Sequence, residues 1–124
     1  MPKVALIGFR DEDGAVPFVE WLDSLPTKAQ ARCSVRLDRL REMGIELRRP
    51  EADYLRDGIY ELRIKYLRIN YRILYFFHGR TSIVVSHGLA KEKAVPPKEI
   101  ELAINRKSLF LADPEKHSAK DELS

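Results

Sequence analysis

The amino-terminal part of the chain passes from a short apolar run into two stretches of helical periodicity. Residues 4–9 are almost continuously apolar, which is typical of a buried strand, and a short acidic stretch ends the run. Over residues 16–25 apolar side chains recur at helical spacing until Pro26 interrupts them. A second helical pattern follows over residues 27–43 and ends at a glycine. The sequence therefore predicts a strand followed by a helical hairpin.

The middle of the chain changes to a period of two. Between residues 58 and 88 apolar and aromatic side chains occupy alternate positions, which predicts three antiparallel strands. We expect a hairpin turn at residues 78–80, and an earlier change of strand near Leu67. Residues 44–58 contain glycine and proline and are interpreted as a connection into this sheet.

A last helix is predicted to open at Pro96 and Pro97, with acidic residues near its start and basic ones near its end. Residues 113–124 are polar, and we expect a flexible tail there after a single domain over residues 1–112. The order β-α-α-β-β-β-α predicts an α+β fold, an antiparallel sheet of about four strands with helices packed against it. The buried stripe of the last helix is expected to contain Ile100, Ala103, Ile104 and Leu111.

Composition narrows the class of protein. The chain has 124 residues, 44% hydrophobic and 33% charged, which suits one globular domain. Its formal charge is +3, and because residues 113–124 contribute −2, residues 1–112 carry +5, a weak indication of a polyanionic partner. Cys33 is the only cysteine, which excludes an intramolecular disulfide. We find no signal peptide and no membrane span, so a cytoplasmic protein is expected.

Cations stand among apolar and aromatic positions in the predicted sheet. Arg63 and Lys65 share one face of their strand, and Arg72 lies on the next strand. Guanidinium groups on a rigid sheet bind phosphate bidentately, and nearby Tyr or Phe rings stack on unpaired bases, so the pattern is compatible with an RNA site. The alternative is a solvated face of an antiparallel sheet, and the pattern alone leaves both open.

His87 ends the last predicted strand, and Lys91 and Lys93 follow in a loop. A histidine of ordinary pKa, near ~6.5, exchanges protons at neutral pH, whereas deprotonating an unshifted lysine there costs about 4.6 kcal/mol. His87 is therefore the preferred candidate base, and the two lysines are candidate phosphate-binding residues. The alternative for His87 is a half-buried structural role.

Other chemistries lack support in the sequence. His78, His87 and His117 are not at the spacing of metal ligands, so we expect no metal site. The chain lacks the motifs of serine hydrolases, P-loop NTPases and dinucleotide enzymes, so no cofactor is expected. A basic stripe on the second helix is either a partner surface or a solvated face.

Four blocks read in order resemble the phage-derived, HigB-like branch of the RelE/ParE toxin superfamily. They are LRDGIYELR at residues 55–63, YRILY at 71–75, HGLAK at 87–91, and the proline-led helix that begins at Pro96. The resemblance covers roughly residues 15–107 and implies a RelE-like fold. Its element order is the one that the periodicity predicts.

The resemblance implies a toxin of a type II toxin–antitoxin pair, a small RNase that cuts mRNA in the ribosomal A site without a metal. It also implies a helix-turn-helix antitoxin as partner. Carried onto this sequence, it makes Arg63, Arg72, His87 and Lys91 the candidate catalytic residues, with Lys65, Tyr75 and Lys93 binding substrate. Two alternatives stay open: a ParE-like inhibitor of DNA gyrase, and a catalytically inactive protein-binding module.

Overall fold

The computed structural model describes residues 4–119, which form one mixed sheet with helices on both of its faces. The strands and helices follow in chain order as β1 (Ala5–Phe9), α1 (Pro17–Asp23), α2 (Thr27–Met43), β2 (Ala52–Arg56), β3 (Ile59–Tyr66), β4 (Ile69–His78), β5 (Ser82–Ala90), α3 (Pro97–Ala112) and β6 (Ser118–Ala119). A single 3₁₀ turn, Gly44–Glu46, follows α2. The α+β class and the helical hairpin are confirmed.

The prediction of about four antiparallel strands is wrong in number and in pairing. Residues 4–119 contain six strands in the order β2-β3-β4-β5-β1-β6, and β1 runs parallel to β5. The segment interpreted as a connection contains β2, whose side chains are mostly part-exposed and polar, so it carries no apolar alternation. Asp57 and Gly58, both at positive φ (52° and 82°), form the two-residue turn that joins β2 to β3.

Two separate cores cover the two faces of the sheet. On one face α1 and α2 pack over side chains such as Leu62, Ile73 and Tyr75. On the other, α3 packs over Ile59, Leu74 and their neighbours. Because side chains alternate along a strand, consecutive residues of β3 and β4 belong to different cores.

The ends of α3 differ from the expected buried stripe in one residue. Leu111 is 53% exposed, and Phe110 next to it is 1% exposed and packs against Phe76. Residue 110 falls seven residues after Ala103 and ten after Ile100, so it stays on the stripe that residue 111 has already left. The prediction that Leu111 belongs to the buried stripe is therefore wrong.

The segment after α3 returns to the sheet. Ser118 pairs with Phe9 through β6, and the ring of His117 stacks on the Phe9 ring with centroids 5.2 Å apart. Residues 120–124 of the predicted tail lie outside the described residues. Within residues 4–119 no helix is both long and apolar enough to cross a membrane.

Candidate active site

Arg63 and Arg72 are placed directly opposite each other by the strand register. Arg63 of β3 pairs with Arg72 of β4, and Arg72 in turn pairs with Leu89 of β5. Paired residues on neighbouring strands have Cβ atoms about 4.5–5.5 Å apart and point to the same face, and like charges in that position are destabilising. This face is the one that α3 covers further along, where Ile59 and Leu74 are buried. The two arginines thus stand side by side next to α3.

The carboxylate of Glu61 lies between the two guanidinium groups. Its Oε2 accepts a hydrogen bond from Arg63 Nη2 at 3.1 Å, and its Oε1 lies 2.9 Å from Arg72 Nε. The second contact is an ion pair without hydrogen-bond alignment, because neither of its atoms has a hydrogen-bond partner. The Glu61 side chain is 6% exposed, against 13% for Arg72 and 32% for Arg63. A buried carboxylate therefore compensates two adjacent cations.

The charged cluster continues onto β2 through Asp53. Its Oδ2 lies 3.4 Å from Arg63 Nη2 and 2.7 Å from Arg49 Nη2. The hydrogen bond from Arg49 lowers the pKa of the Asp53 carboxyl, and the nearby charges of Arg49 and Arg63 add to the effect. Asp53 consequently remains an anion at neutral pH and contacts the same Nη2 atom of Arg63 that Glu61 contacts.

Beyond Arg63 the edge of β3 has no neighbouring strand. The backbone N–H of Arg63 donates to the Glu51 carbonyl, the last backbone bond to the β2 side. Arg36 of α2 donates through Nη1 to the Arg63 carbonyl at 2.6 Å. A shallow depression of about 280 Å³ lies here, with its basic residues on both sides of the edge. Its lining is Arg36, Pro50, Glu51, Arg63, Ile64, Lys65, Asn70 and Arg72.

The loop after β5 lies against Arg72. Arg72 Nη2 donates to the backbone carbonyl of Lys93 at 3.5 Å, and the backbone N–H of Lys91 donates to the Asn70 carbonyl at 3.0 Å. Lys91, Lys93 and Lys65 are all exposed. These contacts bring the basic loop beside the arginine pair, so the cations from three parts of the chain share one region.

His87 is buried next to this region, under the first turn of α3. It pairs with Leu74, two positions along β4 from Arg72, on the same face of the sheet. Its Nε2 lies 2.9 Å from Glu99 Oε1, and its Nδ1 lies 2.8 Å from Ser86 Oγ. Burial lowers the pKa of the His87 imidazole, and the hydrogen bond to Glu99 opposes that effect. The ring is therefore neutral near pH 7, and both of its nitrogens have partners.

A model of the family of phage-derived Gp49-like proteins (DUF891) matches residues 20–108. The chain belongs to this Gp49-like family. The family is RelE/toxin-like, and the matched residues run from α1 into α3. They include Arg63, Arg72 and His87. No curated protein matches the chain.

Tyr75 is not brought to the site in this Gp49-like protein. It lies three residues after Arg72 on the same strand, so its side chain points to the opposite face, under α1 and α2. The residue is 1% exposed, its ring stacks on Tyr60, and burial raises the pKa of its hydroxyl. Tyr75 is a core residue in this structure, and the ring is not open to stacking on a base.

Sequence reasoning passed over two carboxylates that complete the Gp49-like site. Glu61 lies two residues before Arg63 and so on the same face of β3, but its burial and its two partners depend on the register of β3 with β4. Glu99 lies near the start of the last helix, where any acidic residue is favourable, whereas in the structure its carboxylate binds His87. A local sequence pattern cannot predict the contact of Glu61 with Arg72 or that of Glu99 with His87, because each joins residues of different strands or helices.

Proposed function

We propose that this Gp49-like protein is the toxin of a type II toxin–antitoxin pair and acts as a metal-independent, ribosome-dependent mRNA endoribonuclease. The observation that carries the proposal is the pair Arg63 and Arg72, directly opposite in register and compensated by one buried carboxylate. Guanidinium groups bind phosphate through two parallel hydrogen bonds, and the pair presents two such groups side by side. Exposed lysines border the pair in the sheet and in the loop after β5.

The solvated-face alternative fits these observations less well. Arginines of a solvated face extend separately into water, whereas the Arg72 side chain is 13% exposed and meets Glu61 and the Lys93 carbonyl. Like charges opposite each other on neighbouring strands reduce stability. Unfavourable local arrangements that a fold nevertheless retains concentrate at functional sites.

The proposed reaction is transesterification within the RNA. The substrate's 2′-hydroxyl attacks the adjacent phosphorus while a base takes its proton, and the P–O5′ bond breaks with protonation of the leaving oxygen. The products are a 2′,3′-cyclic phosphate and a 5′-hydroxyl. Arg63, Arg72 and Lys91 neutralise the charge that grows on the phosphoryl oxygens, and Lys65 and Lys93 bind flanking phosphates.

His87 is the proposed base. Its lowered pKa keeps the imidazole neutral, which is the form that accepts a proton. Since both ring nitrogens are hydrogen-bonded in the free protein, His87 must exchange its bond with Ser86 or Glu99 for one from the substrate. Active-site hydrogen bonds commonly rearrange in this way when substrate binds.

The proposal includes the cellular setting of the reaction. The target is mRNA on the ribosome, the location is the cytoplasm, and the partner that silences the toxin is a helix-turn-helix antitoxin. The formal charge of +5 over residues 1–112 favours association with ribosomal RNA.

The experiment compares Arg72→Lys with Arg68→Lys on ribosomes programmed with a defined mRNA. Arg72→Lys keeps a positive charge beside Glu61 but loses the planar fork, so cleavage should fall by at least about 100-fold. Arg68 is exposed in the β3–β4 turn, and its conversion to lysine should leave cleavage unchanged. Equal cleavage by both variants would show that the guanidinium group of Arg72 is not needed, and would contradict a catalytic role of the arginine pair.

Induced expression in cells separates the alternative functions. RNA fragmentation on induction supports the proposal. Accumulation of DNA breaks without RNA fragments supports a gyrase inhibitor, and unimpaired growth supports an inactive binding module.

A further inference from the structure

Glu61 is the one acidic residue that contacts both arginines of the candidate site among the described residues. It pairs with Asp53 on one side and with Leu74 on the other, in the middle of three adjacent strands. Ile59 and Leu74, on the same face, are fully buried. Burying a carboxylate among apolar side chains is unfavourable unless cations compensate its charge. The retention of Glu61 at this position therefore suggests a role tied to the two arginines that it contacts.

We propose that Glu61 is a positioning residue, which orients the guanidinium groups of Arg63 and Arg72 for the phosphate that is cleaved. This inference rests on the proposed function, since it assigns the two arginines a phosphate to bind. The role differs from proton transfer, because Glu61 acts through the arginines and does not touch the substrate.

The contacts of the carboxylate are divided between the two strands. Oε2 binds Nη2 of Arg63 on its own strand, and Oε1 lies against Nε of Arg72 on the next strand. Asp53 contacts the same Nη2 atom of Arg63, and the Lys93 carbonyl accepts a hydrogen bond from Nη2 of Arg72. Among residues 4–119, neither Nη1 atom donates a hydrogen bond. The two groups are therefore held from below with one terminal nitrogen each left to donate.

The depth of Glu61 distinguishes positioning from occupation of the phosphate site. Its side chain is 6% exposed, less than that of Arg72 at 13% or Arg63 at 32%. A carboxylate that imitated a phosphate would lie on the solvent side of the arginines, where a ligand arrives. Glu61 lies beneath them, so a bound phosphate and Glu61 contact different sides of the same guanidinium groups.

Removing the charge of Glu61 has opposite effects on binding and on turnover. With the carboxylate, three arginines (Arg49, Arg63 and Arg72) and two anions (Asp53 and Glu61) leave one net positive charge for the phosphate. Without it, the two like charges repel each other and lose their common tether, while the attraction to RNA increases. Misplacement of a catalytic group by about 1 Å lowers rates by about 100-fold.

The experiment uses Glu61→Gln, with Glu20→Gln as its matched control. Both variants lose one negative charge, and Glu20 is exposed on α1, on the opposite face of the sheet. In Glu61→Gln we expect kcat for mRNA on programmed ribosomes to fall by about 10- to 100-fold. Binding of the same mRNA with a 2′-deoxy group at the cleavage site should be unchanged or tighter. Unchanged kcat, or loss of kcat and binding in parallel, would overturn the proposal.

Glu61→Asp keeps the test informative if the glutamine variant folds poorly. The aspartate retains the charge but is shorter by one methylene, so it neutralises the arginines without reaching both of them. Positioning predicts that Glu61→Asp remains as impaired as Glu61→Gln. Full activity of the aspartate variant would show that charge alone is needed and would overturn the proposal.

A measurement without RNA separates this inference from the proposed function. The Nε atoms of Arg63 and Arg72 are buried, so their N–H resonances should be sharp and slow to exchange in the wild-type protein. In Glu61→Gln both signals should broaden or vanish, and in Glu20→Gln they should persist. If wild-type protein cleaves no RNA, the proposed function fails while these signals still test the positioning. Unaltered signals in Glu61→Gln would overturn the positioning itself.

Discussion

Gly88 of β5 packs directly against the Trp21 ring of α1, and its replacement by alanine should destabilise the protein. A Cβ at this position would lie 2.3 Å from Cε3 of Trp21 and 2.4 Å from two further ring atoms. Carbon atoms in contact are about 3.5 Å apart, so the ring must shift by about 1.2 Å. Phe18 and Tyr71, whose ring centroids lie 5.9 Å from that of Trp21, oppose this shift.

The size of the effect follows from the overpacking. Forcing atoms into a packed core costs about 1–3 kcal/mol, and with three ring atoms displaced we expect about 2–3 kcal/mol. At about 2.1 cal/mol/K of unfolding entropy per residue, a chain of this length loses about 4 °C in Tm per kcal/mol. Gly88→Ala should therefore melt about 8–12 °C below wild type. Strand propensity predicts the opposite sign, since alanine is favoured over glycine in a strand.

Thermal unfolding followed by circular dichroism measures this effect, and a double-mutant cycle assigns it. In a Trp21→Ala background the ring is absent, so adding Gly88→Ala should change the free energy of unfolding by less than about 0.5 kcal/mol. Two results would refute the steric reasoning: Gly88→Ala melting within about 2 °C of wild type, or an equal loss in both backgrounds.

Three further predictions concern buried groups. Burial lowers the pKa of His87, so the unfolded chain binds the proton more readily than the folded protein does. The stability that the neutral ring contributes is therefore fully present above the unfolded pKa of about 6.5. It is lost as the pH falls through the lower pKa of the folded protein. Urea unfolding at pH 7.5 and pH 5.5 should show a smaller pH-dependent loss for His87→Gln than for wild type, and equal losses would contradict the assignment. In the same assay Phe110→Ala should lower the free energy of unfolding by about 3–5 kcal/mol and Leu111→Ala by less than about 0.5 kcal/mol. The reason is that Phe110 is 1% exposed and Leu111 is 53% exposed. Similar losses in the two variants would show that Phe110 is not the buried residue at the end of α3. Burial raises the pKa of the Cys33 thiol to about 11, so a thiol reagent at pH 8 should label it slowly in native protein and rapidly in denaturant, and fast native labelling would show that α2 opens.

The periodic parts of the fold are the parts that the sequence predicts. The pattern over residues 27–43 coincides with α2, and the period-two segment contains β3, β4 and all but the last two residues of β5. Both patterns arise from local alternation between core and solvent. β2 and β6 escape prediction because they are short, polar edge strands, and the parallel pairing of β1 with β5 joins segments about 77 residues apart.

The candidate site divides in the same way. A strand's period of two already places Tyr75 on the face opposite to Arg72, yet the resemblance to toxin motifs favoured it as a substrate-binding residue. The pairing of Arg63 with Arg72 required the register of β3 with β4, which no local pattern specifies. Glu61 required in addition the knowledge that its neighbours on that face are buried. Residue types were thus predictable, but their contacts were not.

The most direct test of the account determines the chemical ends left on a cleaved mRNA. Purified protein is incubated with programmed ribosomes in the presence of EDTA, and the termini of the fragments are mapped. Cleavage should persist under chelation and leave a 2′,3′-cyclic phosphate and a 5′-hydroxyl. Intact mRNA, cleavage abolished by EDTA, or fragments with 5′-phosphate ends would contradict it.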